Sequence, residues 1–376
     1  MTHEHHIYIS LGSNVGDKFL HLQHGIDAIF KRIGTIEKIS PVYETPAWGF
    51  DGDSFYNCVI LIRSANNAES VLRKLLDIET KQGRVRTTEQ GYQSRSLDLD
   101  ILFYGEDEIS SETLKVPHPQ LAKRRFVLQP LSDIAPDLKI PNGGHTIAEL
   151  LEQCEDDSVI QKLPRWLKNP KDSYNLSKYN YISIEGNIGA GKTTLATKIA
   201  TDFNAKLILE RFADNPFLPK FYDAPSRYAF PLEMSFLADR YQQTQDDLNQ
   251  LDLFKDFVVA DYDIYKSLVF AKITLQEEEF RLYRRLFDLM YKESKKPDLY
   301  VFLFQSTERL LTNIKNRKRD YEQTITPEYL DAIQKGYIDH IKAQGTNNVK
   351  VIDISEMDFV ESREDYLTIL EKIISK

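Results

Sequence analysis

Two aspartates on one predicted strand are the first residues in this sequence that could do chemistry together. In "SLDLDILFYG", residues 96–105, apolar residues alternate with Asp98 and Asp100, so a β-strand here places both carboxylates on one face. Same-face neighbours on a strand lie about 7 Å apart. Two carboxylates at that distance repel each other by about 2–3 kcal/mol at an effective dielectric constant of about 20.

Arginines close to this strand suggest what offsets the repulsion. Arg84 and Arg86 lie upstream in "QGRVR", and Arg95 lies three residues before Asp98. Carboxylates offer Mg²⁺ hard oxygen ligands, and arginines offer phosphates planar cationic donors. We therefore interpret this segment as a site for Mg²⁺ and a polyphosphate. The alternative is a solvent-facing strand edge, where such alternation is ordinary.

A second phosphate site is predicted in the other half of the chain. The segment "GNIGAGKT" fits G-x-x-x-x-G-K-[ST] from Gly186 to Thr193, between a predicted strand, "YISIE", and a predicted helix, "TTLATKIATDF". In such a loop backbone N–H groups surround the phosphates, Lys192 reaches the β- and γ-phosphate oxygens, and the Thr193 hydroxyl binds Mg²⁺. Because the flanking strand and helix are those that the loop requires, this interpretation is favoured over a plain glycine-rich turn.

Two further acids end predicted strands in the same half. Glu210 ends "KLILE" and Asp261 ends "FVVAD". Ligands of α/β proteins bind at the carboxyl ends of the strands, so these side chains are candidates for a general base and for a metal or sugar ligand. The alternative for each is a carboxylate that water solvates at the edge of the sheet.

The elements that would position the aspartate pair alternate between strand and helix patterns from Ile7 to about Leu151. "HIYISLG", "NCVILIR" and "LDLDILFYG" have strand patterns, whereas "FLHLQHGIDAIFKRI" and "AESVLRKLLDIETKQG" have helical spacing. A proline-rich region follows the last of these strands. This order predicts an α+β domain with a mostly antiparallel sheet.

From Tyr181 onward the pattern changes. Five short, almost continuously apolar segments, "YISIEG", "KLILE", "FVVADY", "LYVFLF" and "VKVIDI", are separated by long helical stretches. This alternation is typical of a doubly wound parallel sheet with buried strands. Between the two halves the periodicity gives way to proline, asparagine, serine and charge, so we predict domains at 1–158 and 179–376 joined by a linker at 159–178.

The composition narrows the class of protein. The chain has 376 residues, enough for two domains, and its formal net charge of −9 argues against general nucleic-acid binding and against a basic membrane face. We also expect no membrane span and no signal peptide. The two cysteines, Cys58 and Cys154, lack C-x-x-C spacing, which fits a reducing compartment and predicts a cytoplasmic protein.

The second half resembles the deoxynucleoside kinases, in the branch that contains deoxyguanosine and deoxyadenosine kinases. The resemblance rests on "YISIEGNIGAGKTTLA", "LILERFADNPFLPKFY", "RYAFPLEMSFLADRY", "ADYDIYKSLVF" and "NRKRDYEQTITPEYLDAI", and it covers residues 180–376. It implies a P-loop α/β kinase with a parallel five-stranded sheet. Such an enzyme phosphorylates the 5′-hydroxyl of a deoxynucleoside with ATP and one Mg²⁺, and the family is commonly homodimeric.

The resemblance also assigns residues. Glu210 would take the proton of the 5′-hydroxyl, and Tyr222 and Glu322 would hold the sugar 3′-hydroxyl. Arg317 and Arg319 would clamp the transferring phosphoryl group, although a basic run on a helix is otherwise a solvated face. Asp261 joins the deoxynucleoside site. The residues implied to bind ATP are Gly186, Asn187, Gly189, Gly191, Lys192, Thr193 and Thr194.

Two positions depart from the family pattern. The arginine that usually follows the strand-end acid is replaced by Tyr262, so either another cation substitutes or the activity is weaker. Glu233 stands where many relatives have a glutamine that reads the nucleobase. An ionised glutamate only accepts hydrogen bonds, which suits the adjacent N1–H and 2-amino donors of guanine.

The nucleobase prediction involves a second residue. Arg240, seven residues after Glu233 and on the same helical face, could donate to guanine O6 or N7. We therefore predict deoxyguanosine as the preferred nucleoside, with deoxyadenosine next. The alternative is a solvated Glu233–Arg240 pair.

The first half resembles 6-hydroxymethyl-7,8-dihydropterin pyrophosphokinase (HPPK), an enzyme of the folate pathway. The resemblance rests on "GSNVGD", "SPVYETPAWG", "FYNCVIL", "IETKQGRVR", "RSLDLDILFYG", "VPHPQLAKRRFVLQPL" and "IAPDL", and it covers about residues 7–150. It implies a ferredoxin-like α+β fold. It also implies transfer of the pyrophosphoryl group of ATP to the pterin, with Asp98 and Asp100 binding two Mg²⁺ ions.

Other HPPK site residues follow from the same resemblance. The pterin positions are Thr45, Ala47, Trp48, Phe55, Asn57 and Phe126. The nucleotide or phosphate positions are Glu79, Arg84, Arg86, Arg95, His118 and Arg124. Two alternatives stay open, because Phe126 could be a core residue and Asn57 a turn cap. The segment "TTEQGYQS" is predicted to be a lid, with Tyr92 in place of the family's usual tryptophan.

Together these patterns predict a bifunctional enzyme with an HPPK half and a deoxynucleoside kinase half, both using MgATP. Its expected partners are small molecules and a second copy of itself, with no nucleic acid and no membrane. Two alternatives remain at this stage. Only the HPPK half could be catalytic, or the second half could be a module that binds ATP for sensing or dimerisation without transfer.

Overall fold

A computed structural model describes residues 4–48, 52–83, 94–141, 143–211, 215–250, 252–319, 322–344 and 348–375. Arg84, Arg86, Tyr92 and the predicted lid up to residue 93 lie outside the described residues. The chain divides into two compact units, Met1–Tyr174 and Asn175–Lys376.

The first unit is built on an antiparallel sheet. Its strands are β1 (His5–Ser13), β2 (Thr35–Ile39), β3 (Tyr43–Thr45), β4 (Phe55–Ser64), β5 (Asp98–Tyr104), β6 (Ile109–Ser110), β7 (Lys115–Val116) and β8 (Gln161–Lys162). Its helices are α1 (Lys18–Arg32), α2 (Ala68–Lys81), α3 (Arg125–Ile134) and α4 (Ile147–Glu152). The main sheet has the order β5-β1-β4-β3-β8, and β2 also pairs with β4. The predicted ferredoxin-like α+β fold is therefore confirmed.

The segment predicted as a linker contributes to this sheet. Gln161–Lys162 pairs with β3, which adds an edge strand to the first unit. The Asn169 side chain donates a hydrogen bond of 3.1 Å to the carbonyl of Ile36. Residues 161–169 thus pack on the first unit, although their composition is that of a linker.

The pairing register of the central strand, β1, aligns the candidate site residues of neighbouring strands with one another. Gly12 of β1 lies opposite Asn57 on one side and Asp98 on the other. Ser10, two residues earlier on the same face, lies opposite Asp100. Because cross-strand partners point to the same face of a sheet, the predicted pterin ligand and the acid pair share one face.

Gly12 is confined by this arrangement. A Cβ atom at its position would lie 2.8 Å from Oδ1 of Asn57, closer than two non-bonded atoms approach. The other face of the sheet packs against α1 and α2, whose apolar positions recur at helical spacing. Ile26, Ile29 and Leu75 are among these and are fully buried.

The second unit is built on a parallel sheet. Its strands are β9 (Tyr181–Gly186), β10 (Lys206–Ile208), β11 (Val258–Ala260), β12 (Leu299–Phe304) and β13 (Val349–Asp353). Its helices are α5 (Lys192–Asp202), α6 (Leu218–Asp223), α7 (Pro225–Asn249), α8 (Lys266–Thr274), α9 (Glu277–Glu293), α10 (Thr307–Arg317), α11 (Pro327–Gln344) and α12 (Arg363–Ile374). The sheet order is β10-β11-β9-β12-β13. The predicted five-stranded parallel sheet is confirmed.

The topology places the carboxyl ends of three neighbouring strands together. Strand β9 leads into the glycine-rich loop, β11 leads into Asp261, and β10 ends two residues before Glu210. The chain continues from β9 to β10 and β11 on one side and reaches β12 and β13 on the other, so β9 lies at the switch point of the sheet. Ligands of doubly wound sheets bind at such a point.

Helix α7 has 25 residues, but charged and polar side chains occur along it. Across the described ranges, no helix is both long enough and apolar enough to cross a membrane.

Candidate active sites

The first unit contains a cavity of about 230 Å³ beside the paired acids. It gathers residues that are far apart in the sequence: Ser10, Gly12, Thr45, Pro46, Trp48, Phe55, Asn57, Arg95, Asp98, Asp100, His118, Arg124 and Phe126. Every predicted pterin residue except Ala47 is in this set, and Ala47 lies between two residues that are. One cavity therefore joins an aromatic region to an acidic and basic region.

The acidic region is the pair on β5. Nη1 of Arg95 lies 2.6 Å from Oδ2 of Asp98, and Nη1 of Arg124 lies 3.5 Å from Oδ2 of Asp100. The arginines offset the repulsion between the two acids. Both aspartate side chains keep part of their surface exposed, 23% and 38%, and two carboxylates that face an open cavity fit the hard oxygen donor set of Mg²⁺.

The aromatic region adjoins the same arginine. The ring centroids of Trp48 and Phe126 are 6.2 Å apart, and the Arg124 guanidinium carbon lies 5.2 Å from the Trp48 centroid and 5.7 Å from that of Phe126. Asn57 is 4% exposed, and its Nδ2 donates to Oγ1 of Thr45 at 2.8 Å. The amide is therefore held in one orientation inside the cavity, in a strand and not at a turn.

His118 faces the cavity as a neutral ring. Burial and the positive charge of Arg124 lower the pKa of His118 to about 4. Its Nδ1 accepts a hydrogen bond of 3.2 Å from the backbone N–H of Gln120, so the proton of the neutral ring lies on Nε2. The His118 side chain is a hydrogen-bond donor at neutral pH.

Glu79 supports the strand that carries the acids. It is 1% exposed on α2, and its Oε1 accepts the backbone N–H of Leu99 at 2.8 Å. Leu99 lies between Asp98 and Asp100, so Glu79 holds the edge strand where the two acids project. The contact with nucleotide that the resemblance implies for Glu79 stays a prediction.

Sequence reasoning assigned no role to Asn14, which connects two loops next to the cavity. Its Oδ1 accepts the backbone N–H of Arg95 at 2.6 Å, and its Nδ2 donates to Oγ of Ser94 at 3.1 Å and to the carbonyl of Asp53 at 3.4 Å. Asn14 is 3% exposed. Asn14 belongs to the segment "GSNVGD", which was the signal available in the sequence. Its partners Asp53 and Ser94 lie 39 and 80 residues further along the chain, so no local pattern reveals these contacts.

In the second unit the glycine-rich loop joins β9 to α5. Gly191 caps α5 at a φ of 82°, and a Cβ atom there would lie 2.7 Å from Cζ of Phe359. Nζ of Lys192 donates to the carbonyl of Asn187 at 2.8 Å, and the Asn187 side chain donates to the carbonyl of Leu330 at 2.8 Å. The loop is thus fixed, with the first N–H groups of α5 at its end, as a phosphate site requires.

Asn313 and Thr194 complete this region. Nδ2 of Asn313 on α10 donates to the carbonyl of Gly189 at 2.9 Å, a contact that sequence reasoning missed. Thr194 is half-buried in the first turn of α5. Asn313 therefore contacts the predicted ATP loop, and Thr194 directly follows it in the sequence.

Asp261 connects the phosphate loop to the candidate base. Its Oδ2 accepts the hydroxyl proton of Thr193 at 2.5 Å, and its Oδ1 accepts the backbone N–H of Glu210 at 2.8 Å. Asp261 is 4% exposed. One buried carboxylate therefore fixes the distance between the loop and the end of β10.

Glu210 is held between two cations. Nε and Nη2 of Arg240 donate to its Oε1 at 2.8 and 2.6 Å, and Nζ of Lys266 lies 2.6 Å from its Oε2. Burial alone would raise the pKa of Glu210, but Lys266 and Arg240 outweigh it and hold that pKa well below the usual range. Glu210 is therefore a carboxylate at neutral pH.

Arg240 and Glu233 do not form the solvated pair that was the alternative interpretation of these two residues. Both residues are buried, at 4% and 3% exposure, so that alternative is wrong. Nη1 of Arg240 also donates to Oγ of Ser267 at 2.7 Å. Three of the five N–H donors of its guanidinium are used in these contacts, and its predicted contact with guanine depends on the others.

Glu233 is a buried acid with one oxygen unused. Its Oε1 accepts the hydroxyl of Thr274 at 3.0 Å, whereas its Oε2 has no hydrogen-bond partner among the described residues. Burial raises the pKa of Glu233 to about 7, although Arg240 opposes the shift. A ligand that offers donors to Oε2 would satisfy this group.

Arg317, the last residue of α10, acts electrostatically on the loop lysine. Burial lowers the pKa of Lys192, and the positive charges of Lys266 and Arg317 lower it further. Arg319 donates to Oε1 of Glu322 at 2.9 Å, and Glu322 is 6% exposed. The predicted contact of Arg317 and Arg319 with the transferring phosphoryl group stays a prediction.

Two other predicted positions lie in packed surroundings. Tyr222 on α6 packs against Phe221, with ring centroids 5.4 Å apart. Tyr262 is 2% exposed and belongs to a buried cluster with Ile208 and Leu248. The side chain that replaces the family's arginine is therefore a core residue.

Comparisons with known proteins match each half of the chain to a different family. The family model described as deoxynucleoside kinase matches residues 182–376, and the model described as 7,8-dihydro-6-hydroxymethylpterin-pyrophosphokinase (HPPK) matches residues 8–136. Deoxyguanosine kinase of Bacillus subtilis is 37% identical over 190 residues, which are 50% of this chain and 92% of that protein.

Two further relatives cover one half each. The 2-amino-4-hydroxy-6-hydroxymethyldihydropteridine pyrophosphokinase of Pseudomonas aeruginosa is 39% identical over 161 residues, 42% of this chain and 96% of that protein. Deoxyadenosine kinase of Dictyostelium discoideum is 33% identical over 189 residues, 49% of this chain and 75% of that protein.

The two folds and their sites define a bifunctional kinase, with one phosphate-transfer site in each unit. The chain belongs to the deoxynucleoside kinase family through its second unit and to the HPPK family through its first. Both families consist of ATP-dependent transferases, so ATP is the co-substrate of both units. The fusion inferred from the sequence is confirmed.

Proposed function

We propose that the first unit transfers the pyrophosphoryl group of ATP to 6-hydroxymethyl-7,8-dihydropterin, and that the second phosphorylates the 5′-hydroxyl of a purine deoxynucleoside, preferentially deoxyguanosine. The observation that carries the proposal is that each unit has its own constellation of acids and cations. One is centred on Asp98 and Asp100, and the other on Lys192 and Glu210. Each chain then binds two molecules of ATP.

The pterin fits the aromatic region of the first cavity. The fixed amide of Asn57 offers a donor and an acceptor to the mixed edge of the pterin ring. Phe126 and Phe55 would stack on the two faces of the ring, and Thr45, Ala47 and Trp48 would complete the pocket. The hydroxymethyl group would then point toward the acid pair.

The pyrophosphoryl transfer follows from the neighbouring charges. The pterin hydroxymethyl oxygen attacks the β-phosphorus, the bond from that phosphorus to the α-phosphate oxygen breaks, and AMP leaves with that oxygen. The proton of the hydroxymethyl group is released to solvent. Arg95, Arg124 and His118 donate to phosphate oxygens as the charge shifts. Asp98 and Asp100 would hold two Mg²⁺ ions, which supply the remaining positive charge when bound. Glu79 is proposed to add a nucleotide contact, as are Arg84 and Arg86, which lie outside the described residues.

The kinase step uses Glu210 mainly to orient the substrate. An acid whose pKa is this low is a weak base, but phosphoryl transfer through a loose transition state needs little proton removal early on. Each carboxylate oxygen has two lone pairs, so Glu210 can accept the 5′-hydroxyl while it remains paired with Arg240 and Lys266. The 5′-oxygen forms a bond to the γ-phosphorus, the bond from that phosphorus to the β-phosphate oxygen breaks, and ADP leaves with that oxygen. The hydroxyl proton moves to Glu210 as the new bond forms.

Other residues of the second unit bind the two substrates. Lys192, Arg317 and Arg319 would donate to the transferring group, and Tyr222 and Glu322 would hold the 3′-hydroxyl. Thr193 would bind one Mg²⁺, and Asp261 keeps that hydroxyl next to Glu210.

The preference for deoxyguanosine is inferred from Glu233. Its Oε2 is buried and lacks a hydrogen-bond partner in the described part of the chain. Guanine offers two adjacent donors, which match a carboxylate, whereas adenine and cytosine place a ring acceptor at that edge and a carboxylate repels it. The deoxyguanosine kinase named above is a relative of the same half.

A substrate screen tests the nucleoside. The purified chain is given ATP and each of the four deoxynucleosides, and ADP release is measured. We expect deoxyguanosine to give the highest kcat/KM, and the ratio of deoxyguanosine to deoxyadenosine to fall in Glu233→Gln. Faster phosphorylation of thymidine or deoxycytidine would contradict the assignment.

The nucleotide product assigns each activity to its unit. Hydroxymethyl-dihydropterin should release AMP, and this should be lost in Asp98→Ala but kept in Lys192→Ala. A deoxynucleoside should release ADP, with the opposite dependence on the two variants. ADP release that is absent with every deoxynucleoside would favour a second unit that binds nucleotide without transfer.

We also infer a homodimer through the kinase unit. Helix α9 exposes Leu282 and Leu289, at 49% and 69%, and their seven-residue spacing places them on one face. Sedimentation of the wild type and of Leu282→Arg/Leu289→Arg tests this inference. A dimer that the double substitution does not dissociate would exclude this face.

A further inference from the structure

We propose that Lys266 is a positioning residue for Glu210 and supplies the cation that the position of Tyr262 no longer provides. The inference rests on the proposed deoxynucleoside kinase activity of the second unit and deepens it. Tyr262 directly follows the strand-end acid, but its ring is 2% exposed in a cluster with Ile208 and Leu248. The residue after the strand-end acid therefore places no cation at Glu210.

The contact between Lys266 and Glu210 is short and buried. Nζ lies 2.6 Å from Oε2, and the two side chains are 9% and 11% exposed. The other oxygen, Oε1, already accepts two hydrogen bonds from Arg240. Each carboxylate oxygen thus has its own cation, so the plane of the carboxylate is fixed from both sides.

The turn before α8 delivers Lys266 to this place. The backbone N–H of Asp263 donates to Oε1 of Glu185 at 2.7 Å, and Oδ1 of Asp263 accepts the N–H of Tyr265 at 2.8 Å. Lys266 closes the turn, because its N–H donates to the carbonyl of Asp263 at 3.1 Å. Glu185 is the last side chain of β9 before the phosphate loop, so the turn is anchored to the strand that also supplies the loop.

Lys266 also acts on the phosphate side of the site. Among the charged groups around Lys192, Lys266 has the largest electrostatic effect, ahead of Glu185 and Glu210. Lys266 acts electrostatically on Glu185, Lys192, Glu210 and Glu233, and Arg240 binds the other oxygen of Glu210. Lys266 therefore contacts the proposed base and acts on the lysine of the phosphate loop. A cation in this position both orients the base and adds positive charge near the transferred group.

The charge of Lys266 can be separated from its packing by substitution. Lys266→Met keeps most of the volume and removes the charge, whereas Lys266→Arg keeps the charge. Lys272→Met is the matched control, because Lys272 lies on the same helix and is exposed. For each variant the full chain is assayed with ATP and deoxyguanosine, and thermal unfolding is recorded alongside.

We expect Lys266→Met to lower kcat by about 10²-fold, with the KM values of ATP and deoxyguanosine changed by less than about threefold. Lys266→Arg should recover most of kcat, and Lys272→Met should match the wild type. In Lys266→Ala, added ethylammonium chloride should restore part of kcat, whereas sodium chloride should not. This rescue is a readout that a merely structural role would not give.

Several results would overturn the proposal. A folded Lys266→Met chain with normal kcat would exclude a role in turnover. If Lys266→Met does not fold, the other two variants decide. A low kcat in Lys266→Arg, together with no rescue of Lys266→Ala by ethylammonium, would then assign Lys266 to packing alone. A wild-type chain that releases no ADP with any deoxynucleoside would remove the proposed function and this inference together, whereas an active wild type with an active Lys266→Met would remove only the inference.

Discussion

Asp98 and Asp100 lie on one face of β5, and each carboxylate contacts a different arginine. Arg95 pairs with Asp98 at 2.6 Å and Arg124 approaches Asp100 at 3.5 Å. The two acids are therefore kept close despite their repulsion. Two partly exposed carboxylates on one face of a cavity suit a metal-binding role.

The first prediction concerns these acids. Asp98→Ala or Asp100→Ala should lower AMP release with hydroxymethyl-dihydropterin by at least about 10²-fold, because each carboxylate is proposed to hold Mg²⁺. The melting temperature should hardly change, since the repulsion is relieved. ADP release by the kinase unit should also stay the same. Asp107→Ala, on the exposed turn after β5, is the control, and a variant of either acid that keeps full AMP release would contradict the assignment.

The second prediction concerns the stability of the kinase unit. Burial raises the pKa of Glu233 to about 7, so the folded state prefers the protonated acid. The wild type then loses stability as the pH rises from about 4.5 to 7, by at most about 3 kcal/mol. Glu233→Gln does not titrate, so its free energy of unfolding should exceed that of the wild type at pH 8 and match it near pH 4.5.

Denaturation of the full chain can separate the two units in this test. Both tryptophans, Trp48 and Trp166, are in the first unit, so their fluorescence follows that unit, and calorimetry adds the second. Glu278→Gln on the exposed face of α9 is the control. An equal gain for Glu233→Gln at both pH values would show that the titration of Glu233 is not the cause.

Most of the fold could be predicted from the sequence because its signals are local. The buried strands of the second unit are almost continuously apolar, and long helices such as α9 separate them, as the sequence predicts. The acid pair and the glycine loop were also visible, since each needs only a few consecutive residues. The pairing register of β1 places Gly12 between Asn57 and Asp98. The spacing of these residues along the sequence does not reveal this pairing.

The partners of the site residues could not be predicted in the same way. Arg240 was expected at the nucleobase, and the structure pairs it with Glu210, 30 residues away. Lys266 comes to the same carboxylate across 56 residues. These pairs depend on how α7 and α8 pack on the sheet, and a sequence pattern within one helix carries no information about the charge that a neighbouring strand presents.

The third prediction is a pH dependence of nucleoside choice. Guanine needs the ionised form of Glu233, whereas the protonated form presents a donor and an acceptor, as a glutamine does, and suits adenine. From pH 8 to pH 6, kcat/KM for deoxyguanosine should fall about tenfold more than it does in Glu233→Gln. The value for deoxyadenosine should rise relative to that variant. Initial rates with the two nucleosides across this range measure the ratio, and a ratio that is flat in the wild type would refute the role of Glu233.

The fourth prediction concerns His118. Because burial and Arg124 lower the pKa of His118 to about 4, the ring stays neutral from pH 5 upward and donates from Nε2. The rate of AMP release should therefore not fall near pH 6.5 through protonation of His118. His118→Asn keeps a neutral donor and should retain more activity than His118→Ala. Profiles of the three proteins test this, and an acidic limb near pH 6.5 that disappears in His118→Asn would contradict it.

The fifth prediction uses the close approach between Gly12 and Asn57. A Cβ atom at position 12 would lie 2.8 Å from Oδ1 of Asn57, so Gly12→Ala must displace the amide that is proposed to bind the pterin edge. The hydrogen bond from Asn57 to Thr45 would weaken with it. We expect the KM for hydroxymethyl-dihydropterin to rise by about tenfold or more, since a good hydrogen bond in a buried site contributes about 1–3 kcal/mol. The KM for ATP and the kinase activity should be unchanged.

Ser10→Ala is the control for this prediction, because Ser10 lies on the same face of β1 but opposite Asp100. The substitution adds no atom near Asn57 and should leave the pterin KM near its wild-type value. Equal effects of the two substitutions would place the pterin elsewhere.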